Sequence, residues 1–216
     1  MSARILTPSA PSSAVRPAAS RRRRRAVALV ASVTAAAVVA TGIVLSLAGS
    51  APGAGIGRLL PPELRTALFD PTTADGFVDE FAPISLADDA HPAISGLDDA
   101  LRTAMRSAED AAARDGIRFA VTGGWRSREY QQWLLDTRIA EWGSEAAARE
   151  FVATPDSSRH VTGDAVDIGS VDAQYWLVEH GWQWGICQTY ANEPWHFELA
   201  TAPGGVCPEM RLDATG

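Results

Sequence analysis

The chain has four histidines, and two of them stand in settings suited to chemistry. His160 and Asp167 belong to the run Ser158-Arg159-His160-Val161-Thr162-Gly163-Asp164-Ala165-Val166-Asp167, where a turn at Gly163 lets an imidazole and a carboxylate converge on one point. His196 closes the run Glu193-Pro194-Trp195-His196. A catalytic zinc typically takes imidazole and carboxylate ligands from the protein and leaves one position to water. His160, Asp167 and His196 are therefore the candidate ligands of a Zn2+ ion. Water at such an ion needs a base, and Glu193 lies close enough in sequence to a ligand to reach it. A purely structural zinc site is disfavoured, because such sites are usually cysteine-rich with four protein ligands. His91, before Pro92, and His180, before Gly181, read as satisfied polar residues. Asp164 and Glu198 read as solvated charges, with a supporting role behind a ligand left open for Glu198.

The two runs together resemble the paired signature of the VanY-like zinc D-alanyl-D-alanine carboxypeptidases, the family that also includes D-Ala-D-Ala dipeptidases and phage cell-wall endopeptidases. The first motif is matched at Ser158, His160, Gly163, Ala165 and Asp167, and the second at Glu193, Trp195 and His196. A third piece, Gly124-Trp125-Arg126-Ser127 followed by Gln131, is similar to the family's Gly-Tyr-Arg-Ser segment with a downstream Gln, with Trp125 in place of Tyr. The resemblance covers roughly Ile117 to Leu199. It implies that His160, Asp167 and His196 bind zinc, and that Glu193 deprotonates the attacking water and then protonates the leaving amine. It also implies that Arg126 faces the substrate and joins the metal in stabilising the oxyanion, a use of preorganised positive charge. Ser158 and Gln131 are expected to orient the substrate and Trp195 to wall the site. The implied substrate is a peptidoglycan stem peptide or its precursor, cut at a terminal D-alanine. An L,D-carboxypeptidase or a peptidoglycan endopeptidase would use the same metal centre, and a non-catalytic peptidoglycan-binding domain would keep the fold. The intact Glu193 and Arg126 speak against the last, since a binder needs no base beside a metal.

Two other peptidase chemistries are excluded. The chain contains no lysine, so it cannot supply the Ser-x-x-Lys of the serine D,D-carboxypeptidases. It has no His-Glu-x-x-His either, which removes the common helical zinc-protease arrangement.

The elements that must position these residues can be read from local pattern. From Pro62 to Pro92, Pro71, Gly76 and Pro83 break the chain into loops, with a helical turn or two around Leu64 to Phe69. Leu97, Leu101, Met105, Ala108 and Ala112 recur at helical spacing, so Ser95 to Asp115 is predicted as a helix capped by Ser95 and followed by Gly116. Ile117 to Thr122 reads as a strand ending at Gly123-Gly124. A helix beginning near Ser127 carries Tyr130, Trp133, Leu134 and Ile139, and Ser144 to Val152 forms another helical stretch. His160 to Ile168 reads as a strand with a turn at its entry, Val171 to His180 as a helix closed by Gly181, and Pro194 to Leu199 as a short strand. Trp133, Trp142, Trp176, Trp182 and Trp184 are expected in the core or lining the cleft. This order predicts an α+β domain with a small central antiparallel sheet flanked by helices.

That domain (63–216, core about 95–207) is preceded by an appendage. Residues 1–25 read as a basic cytoplasmic tail, 26–48 as a single transmembrane anchor and 49–62 as a linker. The apolar run from Ala26 to Ala48 is long enough to span roughly 30 Å of hydrocarbon, and Arg21 to Arg25 before it should stay inside. A cleaved signal ending at Ser46-Leu47-Ala48 is the alternative, and both readings export the rest of the chain. Arg4, Arg16 and Arg21 to Arg25 precede that run and no acid does, so all 26 acids lie in the exported part. That balance excludes nucleic acid as the main partner. Cys187 and Cys207 are both on the exported side, where an oxidising environment favours a disulfide worth about 3 kcal/mol by loop-closure entropy.

Overall fold

The computed structural model describes residues 60–215. The expected basic tail, the expected membrane helix and most of the expected linker lie outside the described residues. Among the described residues no helix is long and apolar enough to cross a membrane.

The helices, in chain order, are α1 (Pro62–Leu68), α2 (Pro92–Ser95), α3 (Asp99–Ala112), α4 (Arg128–Trp142), α5 (Glu145–Arg149), α6 (Arg159–Thr162) and α7 (Val171–His180). The strands are β1 (Val121–Gly123), β2 (Ala165–Ile168), β3 (Ile186–Gln188) and β4 (His196–Leu199). They form one sheet in the order β1-β2-β4-β3, antiparallel throughout. The α+β class and the small antiparallel sheet are as expected.

Helix α3 forms because Leu101, Met105, Ala108 and Ala112 fall on one buried face. Its cap is Asp98, whose carboxylate accepts from the amides of Ala100 and Leu101. Ser95 instead closes the separate short helix α2, which Pro92 starts and Gly96 ends. The predicted single helix from Ser95 is thus two. The cap expected at Ser127 is present, accepting from Tyr130 N at the start of α4, and Ser144 accepts from Ala147 N at the start of α5.

The strand predicted at Ile117 to Thr122 is shorter and later, Val121–Gly123, and β3 has no counterpart in the sequence reading. His160 lies on the helical turn α6 rather than on a strand. That turn ends at Gly163, which has φ +80° and would bring a Cβ to 2.3 Å from Gly96 O. No other residue fits this left-handed, crowded corner without strain.

Val121, Val166, Ile168, Ile186 and Phe197 from the sheet join Leu101, Met105 and Leu177 from α3 and α7 in the core. Fully burying each large side chain contributes about 1.5–3 kcal/mol. The segment before α2 is also built in. Leu86 is fully buried, Ile84 bridges to Val121, and Arg65 pairs with the buried Asp136 of α4 at 2.7 Å. Trp176 is buried in the expected way, whereas Trp142 and Trp182 are more than two-fifths exposed and belong to the surface.

Candidate active site

Strand periodicity divides the sheet residues between two environments. Val166, Ile168 and Phe197 enter the core, so Asp167 on β2 and His196 and Glu198 on β4 must face the other way. The register then sets Asp167 opposite His196 and Ala165 opposite Glu198. His160 arrives from α6, just before β2, with its Nδ1–H donating to Gly124 O at 2.9 Å. This bond leaves Nε2 as the free lone pair. His196 Nε2–H donates to Glu198 Oε1 at 3.0 Å and leaves Nδ1 free. Backbone and carboxylate partners of this kind fix tautomer and ring orientation in metal sites.

The free atoms meet. His160 Nε2 lies 3.2 Å from His196 Nδ1, and Asp167 Oδ1 lies 3.4 Å from each. All three residues are buried. Donors placed tetrahedrally around zinc at about 2.0–2.1 Å would be about 3.3–3.4 Å apart. The donor triangle fits that ion. Asp167 Oδ1 is buried and makes no hydrogen bond, as expected of an atom reserved for a cation. The site also favours positive charge: against the cost of burial, the neighbouring Asp167 and Glu198 carboxylates push the His196 imidazole up to about 9.

Arg126 holds the other oxygen of Asp167, with Nη2 2.5 Å from Oδ2. Burial opposes ionisation of Asp167, but its neighbours His160 and Arg126 hold its carboxyl well below the ordinary range. Gly123 makes this pair possible, since a Cβ there would stand 2.5 Å from Asp167 Oδ2 and 2.9 Å from Arg126 Nη2. Gln131 is buried beneath, accepting from Arg126 Nη1 at 3.3 Å and donating to Ala153 O at 2.8 Å. Both ends of its amide are thus engaged with the protein.

Glu193 stands on the loop before β4. Its Oε2 is 3.8 Å from His196 Nδ1, and its Oε1 is buried without a hydrogen bond. Burial raises its carboxyl to about 7, against the pull of His196. A carboxylate with a free oxygen and a proton affinity near neutrality has the properties of a general base. Arg126, Gln131, Ser158, His160, Asp167, Glu193, Trp195 and His196 line one cleft, with Tyr190 as a further wall. Every residue singled out in the sequence as ligand, base or substrate contact is in it. Ser158 is buried at the start of α6, and Trp195 is partly exposed.

Glu198 corrects the sequence reading, for it is buried rather than solvated. Besides His196, it accepts from Thr189 Oγ1 at 2.8 Å and Arg159 Nε at 3.2 Å. Although burial opposes it, hydrogen bonds from His196 and Thr189 bring its carboxyl down to about 2. The signal was available: Glu198 is two residues from His196 on a predicted strand, hence on the same face. Gly123 and Tyr190 gave no comparable sign. Cys187 and Cys207 form the expected disulfide.

Two imidazoles and a carboxylate converging beside an unbonded carboxylate make the layout of a site for one divalent metal ion with a base at hand. Residues 95–201 match the family described as VanY, D-alanyl-D-alanine carboxypeptidase. That region of the chain belongs to the family. A D-alanyl-D-alanine carboxypeptidase of Enterococcus faecalis is 32% identical over 136 residues, which are 48% of this chain and 51% of that protein. YodJ of Bacillus subtilis is 31% identical over 116 residues, 43% of this chain and 42% of its own. The chain thus spans about half the length of the curated relatives it matches. Among solved structures, a vancomycin-resistance D,D-pentapeptidase VanY in complex with Zn(II) is similar, with 28% identity and a TM-score of 0.46 over 60% of this chain and 82% of that one. The L,D-carboxypeptidase LdcB is similar too, with 27% identity and a TM-score of 0.43 over 47% and 58%.

Proposed function

We propose that this chain is a zinc-dependent D-alanyl-D-alanine carboxypeptidase that removes the terminal D-alanine of peptidoglycan stem peptides. The observation that carries the reading is the meeting of His160 Nε2, Asp167 Oδ1 and His196 Nδ1 beside the unbonded Glu193 carboxylate, in a VanY-family domain. His160, Asp167 and His196 would hold the zinc, which would supply a Lewis acid to acidify water and polarise the scissile carbonyl.

The remaining work falls to the chain's own residues. Glu193 takes the proton of the attacking water and delivers it to the leaving amine of D-alanine. Arg126, fixed between Asp167 and Gln131, presents a guanidinium where negative charge develops on the carbonyl oxygen. Ser158 orients the substrate and Trp195 forms a wall of its cleft. Gln131 serves the substrate through Arg126. The Arg21 to Arg25 block and the apolar run to Ala48 support a single-pass membrane protein with this domain outside, where the wall lies.

Mass spectrometry of a stem-peptide panel with added zinc tests the reading. Loss of one alanine from a peptide ending in D-Ala-D-Ala is expected. Preference for a tetrapeptide with an L,D bond would move the assignment to L,D-carboxypeptidase, an internal cut to endopeptidase, and no cleavage at all to a binding domain.

A further inference from the structure

Residues 202–215 lie beyond the family match, yet part of them returns to the site. Cys207 is bonded to Cys187 on β3. Arg211 N donates to Thr189 O at 3.0 Å, and Arg211 O accepts from Ala191 N at 2.8 Å. Farther on, Ala214 N donates to Glu150 O at 3.3 Å, and Ala214 lines the cleft. The segment 207–215 is therefore a strap tied down at both ends and in the middle.

At its centre, the Arg211 guanidinium lies over the Tyr190 ring, 4.3 Å from the centroid, with Nη2 3.4 Å from Glu198 Oε1. The Tyr190 ring is itself 5.0 Å from that of His196. The oxygen that Arg211 faces is the one that accepts from His196 Nε2. Stacking on an aromatic face fixes a guanidinium in plane and position, so Tyr190 holds the charge in place behind Glu198.

We infer that Arg211 is a positioning residue of the metal site: it acts through Glu198 to fix the orientation of His196, and the Cys187–Cys207 bond anchors the strap that carries it. The inference rests on His196 being a metal ligand. Partners that orient ligating histidines typically contribute about 10–100-fold to metal affinity. Thr189 and Arg159 also hold Glu198, which places the expected effect of Arg211 at the low end.

The test is zinc affinity of the full chain, by competition with a chromogenic chelator, beside the thermal midpoint of the metal-free protein. Arg211→Met should bind zinc about tenfold more weakly with a midpoint near that of the unsubstituted chain, and Arg211→Lys should recover part of the loss. In the Glu198→Gln background, Arg211→Met should have little further effect. Unchanged affinity in Arg211→Met, or a full tenfold loss on top of Glu198→Gln, would overturn the assignment. Zinc binding by the unsubstituted chain separates the two levels: if it binds none, the metal-site reading fails and this inference with it.

Discussion

Asp167 and His196 are directly opposed across β2 and β4, with Asp167 Oδ1 3.4 Å from His196 Nδ1. This pairing ties the chemistry to the sheet. Val166 and Phe197, also opposed, are the core-facing pair beside it. A slip of one residue would exchange the faces, sending Asp167 and His196 into the core. Core packing thus sets the register that assembles the site.

The missing side chain of Gly123 leaves the space that the Arg126–Asp167 pair occupies. Gly123→Ala would place a Cβ 2.5 Å from Asp167 Oδ2, displacing a ligand and the arginine together. We expect kcat/KM to fall at least tenfold and zinc affinity to fall with it, measured by steady-state kinetics and chelator competition. Wild-type values for both would show that the pair need not keep this spacing.

Zinc should stabilise the domain, because the buried donor set is complete only in the folded chain. At a free concentration of about a thousandfold over Kd, the gain is about 4 kcal/mol, or roughly 10 °C in Tm for a domain of this size. Differential scanning fluorimetry with zinc and with a chelator reads it directly. Identical midpoints in the two would contradict the site.

The disulfide should matter to stability as well as to the strap. Replacing Cys187 and Cys207 together by serine removes a cross-link over a sequence separation of 20, and should lower unfolding free energy by about 3 kcal/mol. Equilibrium denaturation in urea would register the change as a lower midpoint; an unchanged midpoint would refute it.

The residues that converge in the cleft were legible in the sequence because they sit in short runs whose spacing carries the chemistry. Helix α3 was legible as well, through the spacing of Leu101, Met105, Ala108 and Ala112. Its start was not, since Ser95 and Asp98 are both acceptable caps and only the break at Gly96 decides between them. β3 is Ile-Cys-Gln, too short for any period to show. For Glu198 two signals competed, its charge suggesting solvent and its place two residues from His196 suggesting the site, and the four donors around it decide for the site. Arg211 was hidden by distance along the chain, for it reaches the site only through the strap.

The central claim is that Glu193 is the base of a zinc peptidase. The most direct measurement is mass spectrometry of a D-Ala-D-Ala-terminated stem pentapeptide incubated with zinc-loaded wild-type chain and with zinc-loaded Glu193→Ala. The account predicts release of one alanine by the wild type and a rate about 10²–10⁴-fold lower for the variant at equal zinc content. Equal release by both, or none by either, would contradict it.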